Sequence, residues 1–274
     1  MRRVLIFLAV AVVLLIAVPV LFLRPSTNRD WSVDQAVLPH AEIHPPMVTV
    51  HGIRNFTYQS TDRYTPAYYD RTFDLRKLDS AWFFVEPFGR AGAAHTFVSF
   101  GFADRDFVAI SVEIRKEKGE SFSPLRGLLR QYELMYVVGD ERDLVKLRTN
   151  FRKDPVHLYR IRATPERIRE MFVGMLRRAN ALREQPEFYN TLTNTCTTNL
   201  VRHVNEITPK RIPFRPAVLL PANSDRLAYE LELIDTSLTF EEVRRRANIN
   251  VLAARYADDP EFSKRIRSQC CPAL

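Results

Sequence analysis

Five segments between residues 47 and 115 constrain the fold of this chain more than any other feature of its sequence. Each segment is rich in β-branched and aromatic residues, and polar or glycine-containing breaks separate it from the next. Several segments alternate side chains with a period of two, which is typical of strands whose two faces meet different surroundings. The pattern therefore predicts strands over residues 47–58, 68–75, 80–88, 95–102 and 107–115.

After residue 124 the pattern becomes mainly helical. Thr164 followed by Pro165 is a strong helix start, because threonine caps the free N–H groups and proline suits the first helical position. Apolar residues then keep one face of that helix over residues 168–182. We also expect helices over 125–132, 140–151, 225–232 and 239–255, and strands over 134–138 and 155–161.

The N-terminus carries an apolar run that begins at Val4 and ends at Leu23, which is 20 residues (23 − 4 + 1). A helix of about this length spans the ~30 Å hydrocarbon core of a membrane. Arg2 and Arg3 before the run favour a cytoplasmic N-terminus. A cleaved signal peptide is the alternative, but no small-x-small cleavage site is visible. We therefore predict a bacterial inner-membrane protein with one transmembrane helix and a soluble domain in the periplasm.

Composition excludes several other classes of protein. A chain of 274 residues with 46% hydrophobic content can bury the core of one large or two small domains. The net charge is +8, but the basic residues are scattered rather than clustered, so we predict no nucleic-acid partner. The three cysteines are Cys196, Cys270 and Cys271, and the adjacent pair lacks metal-site spacing. We predict no metal and no cofactor.

Cys196 is the first candidate for a functional residue. It lies in the polar run 189–199, which leads directly into apolar residues at helical spacing. Thr193, Asn194 or Thr195 can cap such a helix, so Cys196 falls at or just before its first turn. Free N–H groups and the helix dipole lower the pKa of a thiol there, which makes Cys196 a candidate nucleophile. The alternative is a small, buried, unreactive side chain.

A thiol nucleophile needs a base, and two histidines show how the choice is made. His203 follows Cys196 by seven residues, about two helical turns and ~10 Å along the axis, which is too far for a hydrogen bond. His95 begins a strongly apolar strand after the small residues of 89–94, so it can approach another element closely. Without Cys196, we would interpret His95 as an ordinary structural histidine.

Two further side chains complete the candidate site. Alternation places Glu113 on the same face as His95 if their strands are neighbours, where the carboxylate would orient the imidazole. The alternative for Glu113 is a surface ion pair with Arg115 or Lys116. Asn194 is a candidate oxyanion donor together with the backbone N–H of Cys196.

Five ordered segments of the sequence carry a resemblance to a known family. They are residues 30–39, 52–58, 94–100, 110–115 and 187–197. Together they resemble the Lnb N-terminal periplasmic domain family, and the similarity runs from about Asp30 to at least Val204, which is most of the chain after the apolar run. The order of a histidine strand before a cysteine helix is also the order found in circularly permuted papain-like enzymes.

The resemblance implies an α+β fold of the permuted papain-like, NlpC/P60-related kind, in which an antiparallel sheet packs against helices. It maps the catalytic cysteine to Cys196 and the histidine to His95, whereas the role of Glu113 is our inference. We expect a membrane anchor over residues 1–24, a juxtamembrane linker over 25–46, a catalytic domain over 47–210 and a helical extension over 211–274.

The name-giving member of that family moves an acyl chain between two groups of a lipoprotein. The resemblance therefore implies a periplasmic thiol acyltransferase or hydrolase that acts on a membrane lipid or lipoprotein. That member has additional membrane-spanning segments, whereas this chain has one apolar run of that length, so the substrate can differ. Two alternatives stay open: a cell-wall peptide amidase or peptidase of NlpC/P60 type, and a non-catalytic envelope protein that binds or assembles.

Overall fold

The predicted strand segments form the central sheet in the computed structural model, which describes residues 6–7, 22–89, 92–103, 105–209 and 211–269. The described strands are β1 (His40–His44), β2 (Met47–Arg54), β3 (Thr57–Tyr58), β4 (Tyr64–Thr65), β5 (Tyr68–Asp74), β6 (Leu78–Pro87), β7 (Ala94–Phe102), β8 (Asp106–Arg115), β9 (Glu133–Gly139) and β10 (His157–Arg160).

The described α-helices lie mainly in the second half of the chain. Short 3-10 turns lie at Val33–Gln35, Leu75–Lys77 and Pro221–Asn223, and a π-helical turn lies at Leu147–Arg152. The α-helices are α1 (Pro124–Leu128), α2 (Glu141–Lys146), α3 (Pro165–Glu184), α4 (Cys196–Ile207), α5 (Pro216–Leu219), α6 (Ser224–Glu230), α7 (Phe240–Ala247), α8 (Asn250–Arg255) and α9 (Phe262–Arg265).

The sheet is mixed, so the predicted antiparallel sheet is wrong in this respect. Its strand order is β1-β2-β9-β8-β7-β6-β10, with β5 paired to the other side of β2. The parallel contact joins the ends of β2 and β9, where Arg54 lies opposite Gly139. Only glycine fits at this junction, because a Cβ on Gly139 would lie 2.9 Å from the Leu144 side chain and 3.3 Å from the Arg54 carbonyl oxygen.

The predicted transmembrane helix over residues 4–23 is a second correction to the fold. Among the residues that the structure describes, no helix is long and apolar enough to cross a membrane. Residues 4–5 and 8–21 of the predicted span lie outside the described ranges. The fold of the described residues is therefore α+β, with a mixed sheet and helices.

Helices cover both faces of the sheet, because the strand side chains that point to either face are largely apolar. On one face, Phe172 of α3 packs edge-on against Phe100 of β7 at a ring distance of 5.0 Å. On the other face, Phe97 of β7 stacks on Phe84 of β6 at 4.4 Å, and α2, α8 and α9 cover this pair. Strand β7 is thus buried on both faces, which fixes the position of the residue at its start, His95.

Two predicted segments differ from the structure in detail. Residues 40–44, in the predicted linker, form β1 and pair along β2. The helix expected over 239–255 is divided into α7 and α8, and between them Asn248 bridges to His157 of β10. The division of the chain into an anchor, a linker, a catalytic domain and an extension stays a prediction.

Candidate active site

Cys196 is the first residue of helix α4, as its sequence position predicts. Thr195 is the cap: its hydroxyl accepts a hydrogen bond from the backbone N–H of Thr198 at 3.2 Å, and the Thr198 hydroxyl accepts one from the Thr195 N–H at 2.7 Å. This reciprocal pair fixes the start of the helix. The N–H groups of the first turn have no acceptor within the helix, so their positive field acts at Cys196.

His95 lies at the start of β7 and contacts two side chains of β8. The register pairs Phe97 with Ser111, and its continuation places His95 opposite Glu113. The Nε2 atom of His95 lies 2.6 Å from the Ser111 hydroxyl and 3.2 Å from Oε1 of Glu113. Ser111 donates its single hydroxyl proton to Oε1 of Glu113 at 2.7 Å, so Nε2 must donate to Ser111.

The thiol of Cys196 and the ring of His95 line one cleft of about 590 Å³. The two side chains are close enough for each to shift the pKa of the other, and the backbone N–H of Thr96 also lowers the pKa of the thiol. Because Nε2 already points to Ser111 and Glu113, Nδ1 is the ring nitrogen left for the sulfur. The helix start and the strand start therefore bring a thiol and an imidazole together.

Electrostatics favour the charged form of this pair. Burial alone raises the pKa of the Cys196 thiol, but the hydrogen bond and positive charge of His95 outweigh it and lower the pKa to about 7. Burial alone lowers the pKa of His95, but the Glu113 carboxylate and the contact with Cys196 raise it to about 10. Between these two values the thiolate and the imidazolium coexist.

A buried arginine holds the Glu113 carboxylate in place. Arg148, in the π-helical turn, donates from Nη2 to Oε1 of Glu113 at 2.9 Å and from Nε to Oε2 of Glu86 at 2.6 Å. Burial raises the pKa of Glu113, but His95 and then Arg148 lower it well below its usual range. Glu113 is therefore an anion that faces two cations, and its contact with Arg115 or Lys116, the alternative from the sequence, is not what the structure shows.

The structure does not bring the side chain of Asn194 to the thiol. Its Nδ2 atom donates to the carbonyl oxygen of Phe188 at 2.9 Å, and its Oδ1 atom accepts from Asn199 at 2.9 Å. These bonds hold the loop before α4, and Asn194 is absent from the lining of the cleft. The backbone N–H groups of Cys196 and Thr96 are the donors that remain near the sulfur, and the oxyanion role of Asn194 stays a prediction.

Ser111 and Arg148 belong to the site although the sequence patterns did not lead us to propose them. Alternation along β8 places Ser111 on the face of Glu113, so the sequence does contain a signal for it. The sequence contains no comparable signal for Arg148, whose direction depends on the π-helical turn that carries it.

Within the described ranges, no group of three or more His, Cys, Asp or Glu side chains could hold a metal ion. Cys270 and Cys271 lie outside those ranges.

Comparison with known proteins identifies the family. Residues 64–224 match the family model described as the Lnb N-terminal periplasmic domain, which is 161 of the 274 residues (224 − 64 + 1). The chain belongs to this family, and the predicted family is confirmed. The match makes it a periplasmic protein of the cell envelope. No curated protein and no solved structure matches the chain.

Proposed function

We propose, taking the chain as a member of the Lnb N-terminal periplasmic domain family, that it is a thiol acyltransferase or hydrolase whose nucleophile is Cys196. The observation that carries this proposal is that a first-turn cysteine lines the same cleft as a histidine whose ring lies 3.2 Å from a carboxylate. A thiolate at neutral pH is the form that attacks carbonyl carbon, and the geometry favours that form.

The proposed reaction has two steps, which are acylation of Cys196 and transfer of the acyl group to water or an amine. The Cys196 thiolate forms a bond to the carbonyl carbon of an ester or amide while the bond to the leaving oxygen or nitrogen breaks. The imidazolium of His95 gives its proton to the leaving group, and a thioester remains on the enzyme. Neutral His95 then removes a proton from water or an amine, which attacks the thioester and returns the thiolate. Ser111 and Glu113 orient the ring through both steps.

The walls of the cleft favour a substrate with an apolar acyl chain. Apolar residues from four elements or loops line part of it, beside charged residues such as Arg54 and Lys116, and its volume is within the ~300–1,000 Å³ usual for ligand sites. We therefore rank lipoprotein or lipid acyl groups first as the substrate. The apolar lining includes Phe88, Val112, Ile114, Leu147 and Tyr189.

A trapping experiment tests the proposal. The full chain, with Cys270→Ser and Cys271→Ser as background, is incubated with a diacylglyceryl lipopeptide or with purified muropeptides, and its intact mass is measured. We expect a hydroxylamine-sensitive acyl adduct from the lipopeptide that Cys196→Ala abolishes and His95→Ala slows.

The other outcomes decide among the alternatives. Cleavage of muropeptides without a lipid adduct would replace this proposal with a cell-wall amidase or peptidase. If neither substrate reacts while Cys196→Ala only lowers stability, the protein is a non-catalytic envelope component. Cys196→Ser, which keeps the size and loses the thiolate, is the matched control for stability.

A further inference from the structure

Large apolar side chains are exposed on two segments of the chain. We define the first lip as residues 121–131, which include α1, and the second lip as residues 211–220, which include α5. Monomeric proteins rarely group such side chains without a binding role. The exposed fractions are 44% for Phe122, 64% for Leu125 and 43% for Leu128 in the first lip, and 73% for Phe214 and 46% for Leu220 in the second.

The two lips border the cleft that holds Cys196. Phe122 and Pro124 of the first lip line the cleft, as do Leu219 and Leu220 of the second. An apolar group that enters the cleft between these residues and reaches the thiol therefore passes the lips. The lips are parts of the cleft entrance, whereas isolated exposed apolar residues elsewhere on a surface are ordinary.

The first lip is fixed to the loop that leads to Cys196. The Thr191 hydroxyl donates to the carbonyl oxygen of Pro124 at 2.7 Å. Gly127 allows this close contact, because a Cβ there would lie 2.5 Å from the Thr191 hydroxyl and 3.0 Å from the Tyr189 ring. Leu192, 48% exposed, extends the same apolar surface from the loop.

Both lips carry only positive charge. Residues 121–131 contain Arg126 and Arg130, residues 211–220 contain Arg211 and Arg215, and neither segment contains aspartate or glutamate. Acidic neighbours outside the lips lie 3.6 Å from Arg126 and 3.9 Å from Arg215. Exposed apolar side chains combined with arginines are typical of protein surfaces that insert at the interface of an anionic bilayer.

We infer that the two lips seat the protein on an anionic lipid surface, with the apolar side chains in the headgroup region and the cleft open to the acyl chains. The inference rests on the proposed function, because it names the source of the substrate for that same site. A lipid surface fits better than a peptide, since the exposed groups lie on separate short elements on both sides of the cleft. It requires no transmembrane helix.

Depth-sensitive fluorescence in the full chain tests this surface directly. Single variants Leu125→Trp, Leu220→Trp and, as control, Val251→Trp are mixed with vesicles of phosphatidylglycerol that contain or lack brominated acyl chains. Val251 is 65% exposed, as Leu125 is 64% exposed, but it lies on α8, outside both lips. The native Trp31 and Trp82 are buried and give the background, which the unmodified chain measures.

We expect brominated lipid to quench the added emission at positions 125 and 220 by roughly twofold, because an interfacial surface inserts its apolar side chains ~5–10 Å into the bilayer. Position 251 should show no added quenching. Equal quenching at all three positions, or none at 125 and 220, overturns the inference. A change of emission at 125 and 220 on addition of a periplasmic protein, with no quenching by brominated lipid, shows that the lips bind that protein instead, and also overturns it.

A second measurement separates the surface from the chemistry. The rate of Cys196 acylation is compared between a vesicle-borne lipopeptide and a soluble short-chain thioester. We expect Leu125→Ser to lower the ratio of these rates about tenfold, because burial of one leucine side chain is worth that factor or more in partition. Val251→Ser should leave the ratio unchanged. Acylation of Cys196 without lip quenching refutes the surface alone, and lip quenching without acylation refutes the proposed function alone.

Discussion

Removal of the His95 imidazole should abolish the acidity of the Cys196 thiol. In the native site, His95 lowers the pKa of the thiol to about 7, against an ordinary value of 9.0. Without His95, burial still raises this pKa, so His95→Ala should move it to 9.0 or higher. This difference corresponds to roughly 3 kcal/mol between the thiol and thiolate forms.

This change predicts the size of a kinetic effect. At pH 7 about half of the native thiol is ionised, whereas about 1% is ionised at a pKa of 9, so the alkylation rate should fall roughly 50-fold. The two rates should converge above pH 9, where both thiols are ionised. On an acyl substrate, native activity should rise through pH 7 as the thiolate forms and fall near pH 10 as His95 loses the proton it donates.

The assay is pseudo-first-order labelling with iodoacetamide from pH 5 to pH 10, followed by intact mass in the Cys270→Ser, Cys271→Ser background. His51→Ala is the matched control, because His51 also has a raised pKa through its bond to a carboxylate, that of Asp70. His95→Gln keeps a hydrogen-bonding side chain and guards against misfolding. Labelling of His95→Ala at the native rate, with a midpoint still near pH 7, would refute the thiolate–imidazolium pair.

Four other substitutions, one of them a control, test the supporting contacts. Ser111→Ala should lower kcat on the acyl substrate about 10- to 100-fold, because it removes a hydroxyl whose hydrogen bonds to charged groups are worth about 1.5–3 kcal/mol; an unchanged kcat would remove Ser111 from the proposed mechanism. Arg148→Met should lower the urea-derived free energy of unfolding by about 3–5 kcal/mol, since it removes the buried cation that Glu86 and Glu113 share. Arg152→Met, at a half-exposed ion pair to Glu86, should cost less than about 1 kcal/mol, and similar losses for both arginines would contradict this reasoning. Thr195→Ala should cost about 1 kcal/mol through loss of the helix cap, measured in the same way, and no loss would show that the cap is dispensable.

Local rules were sufficient to place much of the candidate site from the sequence. Capping chemistry put Cys196 at the first turn of a helix, because threonine side chains before an apolar helix satisfy its free N–H groups. Period-two alternation put His95 and Glu113 on one face, because the side chains of neighbouring antiparallel strands meet in register. Each of these features depends on residues only a few positions apart, together with one strand pairing.

Features that depend on long-range packing were not accessible in the same way. The parallel contact of β2 with β9 joins residues more than 80 positions apart, and neither strand carries a local sign of its direction. Arg148 reaches Glu113 because the backbone widens into a π-helical turn after α2, which the helical pattern over residues 140–151 does not reveal. The predicted oxyanion role of Asn194 ignored the competing bond to Phe188 that the folded loop provides.

His203 shows how one distance decides two different roles. It lies two helical turns after Cys196, which is too far for it to act as the base of the thiol. At that position along α4 its ring contacts the sheet instead. Its Nε2 atom is 2.8 Å from the hydroxyl of Tyr136 on β9, and the same hydroxyl donates to Oδ1 of Asn199 at 3.4 Å. Asn199 in turn donates to the carbonyl oxygen of Thr195 at the helix start.

This chain of hydrogen bonds links the sheet to the turn that carries Cys196. Burial lowers the pKa of His203 and outweighs the opposing effect of the Glu206 carboxylate, 3.4 Å from Nδ1, so the ring is neutral at the pH where the thiolate–imidazolium pair exists. A neutral ring can bond Tyr136 without adding a second positive charge to the environment of Cys196. In the proposed mechanism the site thus divides two tasks between two histidines: His95 supplies charge and protons, whereas His203, whose burial keeps it uncharged, holds the helix on the sheet.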